Sequence, residues 1–205
     1  MEPITSLLPD ISNWYTPDRI SVEEELWLAG EHYKENVTRI TEVCRTRKLR
    51  TVMEFGCGVG LVARALPPDI EYMAGIDANR HMLERAEARN PSLTFVCADI
   101  RTLQGAAKAD LVCAFALLKH FSLAEWPVIL RKILAHGDYG LFNQHALPDD
   151  REPFDAGEDW HSAWPRRSDI IAAISAAGHK VIDWDDSHVD PGVGAPEAYI
   201  TTRRI

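Results

Sequence analysis

The chain has 205 residues, 46% of them hydrophobic and 26% charged, and a formal net charge of -9 at pH 7. That length suits one domain with a single apolar core, and an acidic surface repels phosphate backbones, so nucleic acid is not the expected partner. No apolar run approaches the roughly 18 residues that span a bilayer, and the opening MEPITSLLPDIS has no basic stretch of the kind that begins a signal peptide, so a soluble, cytoplasmic protein is expected.

Residues 1–22 read as a Pro-, Ser- and Asp-rich arm, followed by a helix over Glu23 to Arg47 in which Leu26, Leu28, Tyr33, Val37, Ile40 and Val43 recur at close to helical spacing. Trp14 and Tyr15 form an aromatic pair on a polar arm, and such a pair needs a docking surface; residues 1–48 are therefore expected to act as a lid. The basic run Arg45, Arg47, Lys48 and Arg50 falls at the helix end, where cations complement the macrodipole without any ligand.

From Thr51 the chain alternates strand and helix. Strands are predicted over Thr51–Phe55, Tyr72–Ile76, Leu93–Cys97, Leu111–Phe115 and Tyr139–Asn143. Between them lie a short helix over Leu61–Leu66 stopped by Pro67, a helix capped by Asn79, and one opened by the capping-box pair Ser122 and Glu125. A further helix, capped by Ser168, runs to Gly178, and Val181–Trp184 and Ala198–Thr202 supply two last strands. Alternation of this kind implies a parallel sheet covered on both faces, and the helix-free link between the last two strands implies an antiparallel hairpin at the C-terminal edge. The four cysteines form no CxxC pair and read as buried or site-lining thiols in a reducing compartment. The histidines show no HxxxH or HExxH spacing, so no metal is expected.

The most informative stretch is Glu54-Phe55-Gly56-Cys57-Gly58-Val59-Gly60, which follows a strand and opens a helix. Glycines there permit positive φ and let a ligand approach the backbone. The second strand ends at Asp77, placed to accept hydrogen bonds from two ribose hydroxyls, since Asn79 already supplies the helix cap. The third ends at Asp99-Ile100, where the acid can accept from an adenine amino group while Ile100 packs on the ring.

These residues resemble the small class I S-adenosylmethionine (SAM)-dependent methyltransferases. The family's acid followed by GxGxG is matched by Glu54, Gly56, Gly58 and Gly60, its ribose acid by Asp77, and the acid after the third strand by Asp99. IDANRHMLERA and ADLVCAFALLKHF look like the stretches around the second and fourth strands. The resemblance covers residues 51–143 best and implies a SAM-binding core there, in a Rossmann-like α/β fold: a seven-stranded, mostly parallel sheet with helices on both faces. Cys57, Ala78, Met82 and Phe115 in the matched stretches, and Tyr15 of the aromatic pair on the arm, are expected to complete the cofactor shell. One departure concerns the fourth strand's exit, Ala114-Phe115-Ala116-Leu117, which lacks the Asn/Asp-Pro-Pro-aromatic tetrapeptide of base-amino methylating enzymes and argues against DNA as substrate.

Methyl transfer to a small-molecule acceptor is the leading function. A nicotinamide oxidoreductase fits less well, because Leu61 stands where GxGxxG needs its third glycine. A SAM-binding regulatory module without catalysis, or a protein or RNA methyltransferase, remains an alternative. Residues 144–167 are expected on the substrate side. They are acidic and hold Phe154, Trp160, His161 and Trp164, a composition suited to a cationic or amine acceptor and equally to a solvated loop. His120 and His145 follow the fourth and fifth strands and are the candidate bases, with Lys119 competing. Residues 168–205 complete the single domain with a helix and the strand hairpin.

Overall fold

The computed structural model describes residues 15–30, 32–105, 107–156, 162–190 and 195–205. Trp14, Trp160 and His161 lie outside them. In chain order the elements are α1 (Pro17–Ala29), α2 (His32–Arg47), β1 (Thr51–Phe55), α3 (Leu61–Ala65), β2 (Glu71–Asp77), α4 (Arg80–Arg89), β3 (Phe95–Cys97), β4 (Ala109–Ala114), a 3-10 turn (Leu118–His120), α5 (Trp126–Leu134), β5 (Gly137–His145), β6 (Phe154–Ala156), β7 (Ser162–Trp164), α6 (Arg167–Ala176), β8 (His179–Asp190) and β9 (Ala195–Arg204). Among the described residues no helix is long and apolar enough to cross a membrane.

Seven strands form one sheet in the order β3-β2-β1-β4-β5-β9-β8. β1 to β5 are mutually parallel, and β9 runs antiparallel to both β5 and β8. The expected C-terminal hairpin is present, with its last strand folded back inside the edge. Ala198, Tyr199 and Ile200 of β9 are buried, whereas β8 carries Lys180, Asp183 and Asp185, so the apolar strand takes the covered position and the charged one the rim. Alternate residues of the central strands serve two cores. Val52, Leu111, Cys113 and Leu141 face α2 and α3, while Met53, Phe55, Val112 and Phe142 face α5 and α6.

The N-terminal region departs from expectation. The single helix read over Glu23–Arg47 is two, broken where Gly30 adopts an extended conformation. The first starts earlier, at Pro17, because the Thr16 side chain accepts from the Arg19 N–H and proline suits the first helical position. α6 likewise begins before Ser168. Asp169 accepts from the Arg166 N–H and Asp149 from the Ser168 N–H, so two carboxylates do the capping expected of the serine. The two-stranded β6–β7 ribbon was not anticipated within residues 144–167.

The strand order reverses between β1 and β4, which leaves a crevice beyond their carboxyl ends. α1 lies over this crevice. Its Ile20 packs with Val59, Leu61 and Met82, and its buried Glu24 pairs with Arg85 (2.7 Å) and Arg89 of α4. In the middle of β5, Gly140 brings the sheet against α5: a Cβ there would run into Leu134 and lie 2.7 Å from Thr202 Oγ1. Gly140→Ala is accordingly expected to cost about 1–3 kcal/mol of stability by overpacking, read as a lower urea midpoint with an unchanged m-value.

Candidate active site

A cavity of about 590 Å³ occupies the crevice, a size usual for small-molecule sites. Its floor is the glycine loop. Gly56, Gly58 and Gly60 all have positive φ, a conformation that bends the chain sharply between β1 and α3. Gly56 and Cys57 donate their N–H groups to the Ile76 carbonyl, which ties the loop to the end of β2. A Cβ on Gly58 would meet only Met82 Sδ, at 3.9 Å, so the backbone there faces open cavity.

Asp77 stands beside this floor. One carboxylate oxygen accepts from the Gly58 N–H (2.9 Å) and the other from the Asn79 N–H (2.8 Å). Each oxygen keeps further lone-pair capacity for a ligand hydroxyl. Asn79 caps α4 through Met82 N–H (3.0 Å), leaving Asp77 to the cavity as its sequence position suggested. Burial pushes the Asp77 carboxyl above its usual range, opposed by the backbone N–H groups that hold it. Asp99 and Ile100 line the wall beyond β3. Asp99 accepts from the Arg101 N–H (2.7 Å), and the Arg101 guanidinium approaches it at 3.3 Å.

Glu54 lies deepest, 3% exposed, and accepts a hydrogen bond from Tyr72 Oη (2.8 Å). Burial raises its pKa from 4.5 to about 8, with the nearby Asp77 charge adding to the rise and the Tyr72 bond opposing it. The missing side chain of Gly75 makes room for this contact, since a Cβ there would fall 2.5 Å from Tyr72 Oη and 2.8 Å from Cys57 Sγ.

Two matches with known proteins bear on this geometry. Residues 52–137 match the family described as a methyltransferase domain. The chain also aligns over 158 residues, at 27% identity, with trans-aconitate 2-methyltransferase of Agrobacterium fabrum, covering 67% of this chain and 61% of that protein. Over residues 52–137 the chain is similar to methyltransferase domains, and it spans about three fifths of the length of the curated relative it matches. Solved structures agree on the fold. A SAM-dependent methyltransferase from Clostridium acetobutylicum superposes with a TM-score of 0.70 at 15% identity, covering 90% of this chain and 96% of that one. The 1,6-didemethyltoxoflavin-N1-methyltransferase of Burkholderia thailandensis gives a TM-score of 0.71 at 14% identity, covering 91% and 84%.

The methyltransferase fold brings together every residue expected in the cofactor shell. Cys57, Ala78, Met82, Phe115 and Tyr15 line the same cavity as the glycine loop and the three acids. An open backbone at Gly58, a carboxylate with spare lone pairs at Asp77 and an apolar wall at Ile100 fit a nucleoside bearing an amino-acid tail. Tyr15 also accepts, through its carbonyl, from Asn79 Nδ2 (3.0 Å) and lies 6.1 Å ring to ring from Trp27, so the arm reaches the cavity as expected.

The two candidate bases part company. His120 lines the cavity from the 3-10 turn, with Lys119 beside it. His145 does not: it is 1% exposed and stacks face to face on Trp164, 4.2 Å between centroids. Its strand extends past the crevice, and pairing with Glu197 of β9 holds it away from the cavity. None of the described residues of 144–167 lines the cavity either; Phe154 and Trp164 stack on one another instead. The cavity is also lined by Trp27, Tyr33 and Asn36 of α1 and α2, which sequence reasoning missed as site residues. Residues 1–48 were expected to act as a lid, but Trp27 and Asn36 were not singled out in it and Tyr33 was read only as part of the helical apolar spacing.

Two measurements check this site. Asp77→Ala should weaken SAM binding by about 1.5–3 kcal/mol, the scale of charged hydrogen bonds, and Gly58→Val should abolish it by filling the cradle, both by calorimetry on protein shown to be folded. Glu54 should impose a pH dependence. The folded chain keeps its proton to about pH 8, whereas the unfolded chain releases it near the usual glutamate value of about 4.3. The stabilisation is therefore complete below that lower value and is lost as pH rises through the folded pKa. Glu54→Gln, which can still accept from Tyr72, should flatten the fall in urea stability across this window.

Proposed function

We propose that this methyltransferase transfers the methyl group of SAM to a small-molecule acceptor. The observation that carries the reading is continuity: the cavity holding Asp77, Gly58 and Glu54 runs on without a break to Asn36, Lys119 and His120. Asp77 would hold the ribose hydroxyls, Asp99 and Ile100 the adenine, and Glu54 with the glycine loop the amino-acid end. When bound, SAM supplies a methyl group already activated by its sulfonium. The chain's own task is then to align an acceptor and exclude water. Tyr15, Trp27 and Tyr33, aromatic side chains that line the cavity, would do the excluding.

His120 is the candidate base for an acceptor that arrives protonated, since an imidazole titrates near neutrality and its turn borders the cavity. An amine acceptor was suggested by the acids of residues 144–167, and with the described part of that segment away from the cavity the support for an amine lapses. The names of the trans-aconitate and didemethyltoxoflavin enzymes support a small acceptor.

The test is release of S-adenosylhomocysteine, measured by mass spectrometry against a panel of small acids, phenols and amines. Turnover with one of them, and a loss on the order of 10²–10⁴-fold in His120→Gln at unchanged SAM affinity, is the expected result. SAM binding without turnover of any acceptor would instead make the chain a binding module, and wild-type turnover in His120→Gln would leave alignment as the mechanism.

A further inference from the structure

The capping box that opens α5 reaches the cofactor end of the cavity. Glu125, the N-cap of α5, donates its N–H to Ser122 Oγ at 3.3 Å. Its Oε2 accepts in return from the Ser122 hydroxyl at 2.9 Å and from the Ser122 N–H at 3.4 Å. The box occupies one carboxylate oxygen. The other, Oε1, accepts from Arg101 Nε at 3.3 Å. A second nitrogen of the same guanidinium, Nη1, donates to Asp99 Oδ2 at 3.3 Å, while Asp99 Oδ1 accepts from the Arg101 N–H at 2.7 Å. The guanidinium also lies over the ring of the buried Phe121, 5.0 Å from its centroid, and the Arg101 carbonyl accepts from Lys132 Nζ.

Asp99, Arg101 and Phe121 line the cavity, and Glu125 does not. A planar guanidinium bound at two nitrogens by two carboxylates and backed by a ring has little freedom to turn. It holds one Asp99 oxygen while the backbone holds the other, so the carboxylate cannot swing without breaking a bond. Each oxygen keeps lone-pair capacity, and an ionised carboxylate only accepts. Fixing that group decides which purine it recognises. Adenine presents a donor at its 6-amino group, whereas hypoxanthine presents a carbonyl there and carries its donor on the neighbouring N1. A mobile carboxylate can follow the donor from one position to the next. A fixed one cannot, and it meets the hypoxanthine carbonyl as acceptor against acceptor.

We propose that Arg101, held by Glu125, is a positioning residue that fixes the Asp99 carboxylate and so makes the cofactor site selective for adenine over hypoxanthine. Arg101 acts through Asp99, and Glu125 acts through Arg101. The inference rests on the reading above that Asp99 holds the adenine of SAM, and adds the residues that give this contact its selectivity.

The experiment measures, by calorimetry on the full chain, affinity for S-adenosylhomocysteine and for S-inosylhomocysteine, which differ only in the purine and carry the same charge. Their ratio cancels any general change in stability or field, so a merely structural role for Arg101 would weaken both ligands alike and leave the ratio unmoved. The wild-type protein should favour the adenosyl compound by about tenfold to a hundredfold, the scale of one hydrogen bond to a charged group. Arg101→Met keeps an apolar stem over Phe121 and should lower the ratio by roughly threefold to tenfold. Arg101→Lys keeps the charge but not the planar fork, and should lower it by about twofold to fivefold. Glu125→Gln, outside the cavity, should lower the ratio by about twofold to fivefold in the wild-type background and leave it unchanged in Arg101→Met, because its effect passes through Arg101. A wild-type ratio in Arg101→Met, or in Arg101→Lys should the methionine variant fail to fold, would overturn the proposal and leave Asp99 with its adenine. A Glu125→Gln effect that persists in full without Arg101 would do the same. Equal wild-type affinity for the two compounds would overturn the role of Asp99 and the proposal with it, and failure to bind S-adenosylhomocysteine would overturn the cofactor reading as well.

Discussion

The reversal of strand order between β1 and β4 is the constraint from which the rest follows. Where neighbouring parallel strands send their connections to opposite faces of the sheet, no loop can cover the gap beyond their ends. The backbone turns there must be tight, because both chains leave at once. β1 leaves through three positive-φ glycines, and β4 leaves through Ala116, a non-glycine residue in the same region of backbone space. A cleft lined by open backbone results, and the acids Glu54, Asp77 and Asp99 at or just past the tips of β1, β2 and β3 line it.

The N-terminal helices line this cleft through Trp27, Tyr33 and Asn36. α1 is fastened to α4 by Glu24 with Arg85 and Arg89, and α2 is fastened to the sheet by Arg39 with Asp185 and Tyr199. These are partly buried pairs with several bonds each, the kind whose geometry persists, in contrast to exposed pairs such as Arg45 with Asp69. Burial has an electrostatic consequence at the floor. Glu54 and Asp77, two carboxyls in one poorly solvated site, cannot both ionise freely, and the deeper one retains its proton to about pH 8. A cationic ligand would reverse that balance, so the floor is matched to positive charge while the β4 exit turn presents Lys119 and His120.

The sequence by itself determined the sheet, its helices and the cofactor floor, because those signals are local. Period-2 apolar runs ending in glycines or an acid need no knowledge of the rest of the chain, and Glu54, the glycine loop, Asp77 and Asp99 were all legible at strand ends. The start of α1 was legible too, in Thr16-Pro17-Asp18, but the prolines and serines around it read as an arm. What only the tertiary structure decided was which residues reach the cavity from elsewhere. His120 and His145 occupy equivalent places after neighbouring strands, yet β5 runs on to pair with β9 and carries His145 onto Trp164, whereas β4 stops short and turns His120 inward. Residues 144–167 looked like a substrate lid by composition, and the cavity-lining role of Trp27, Tyr33 and Asn36 went unread. Neither role can be read locally, because strand length, pairing partner and helix docking are set by burial summed over the whole chain.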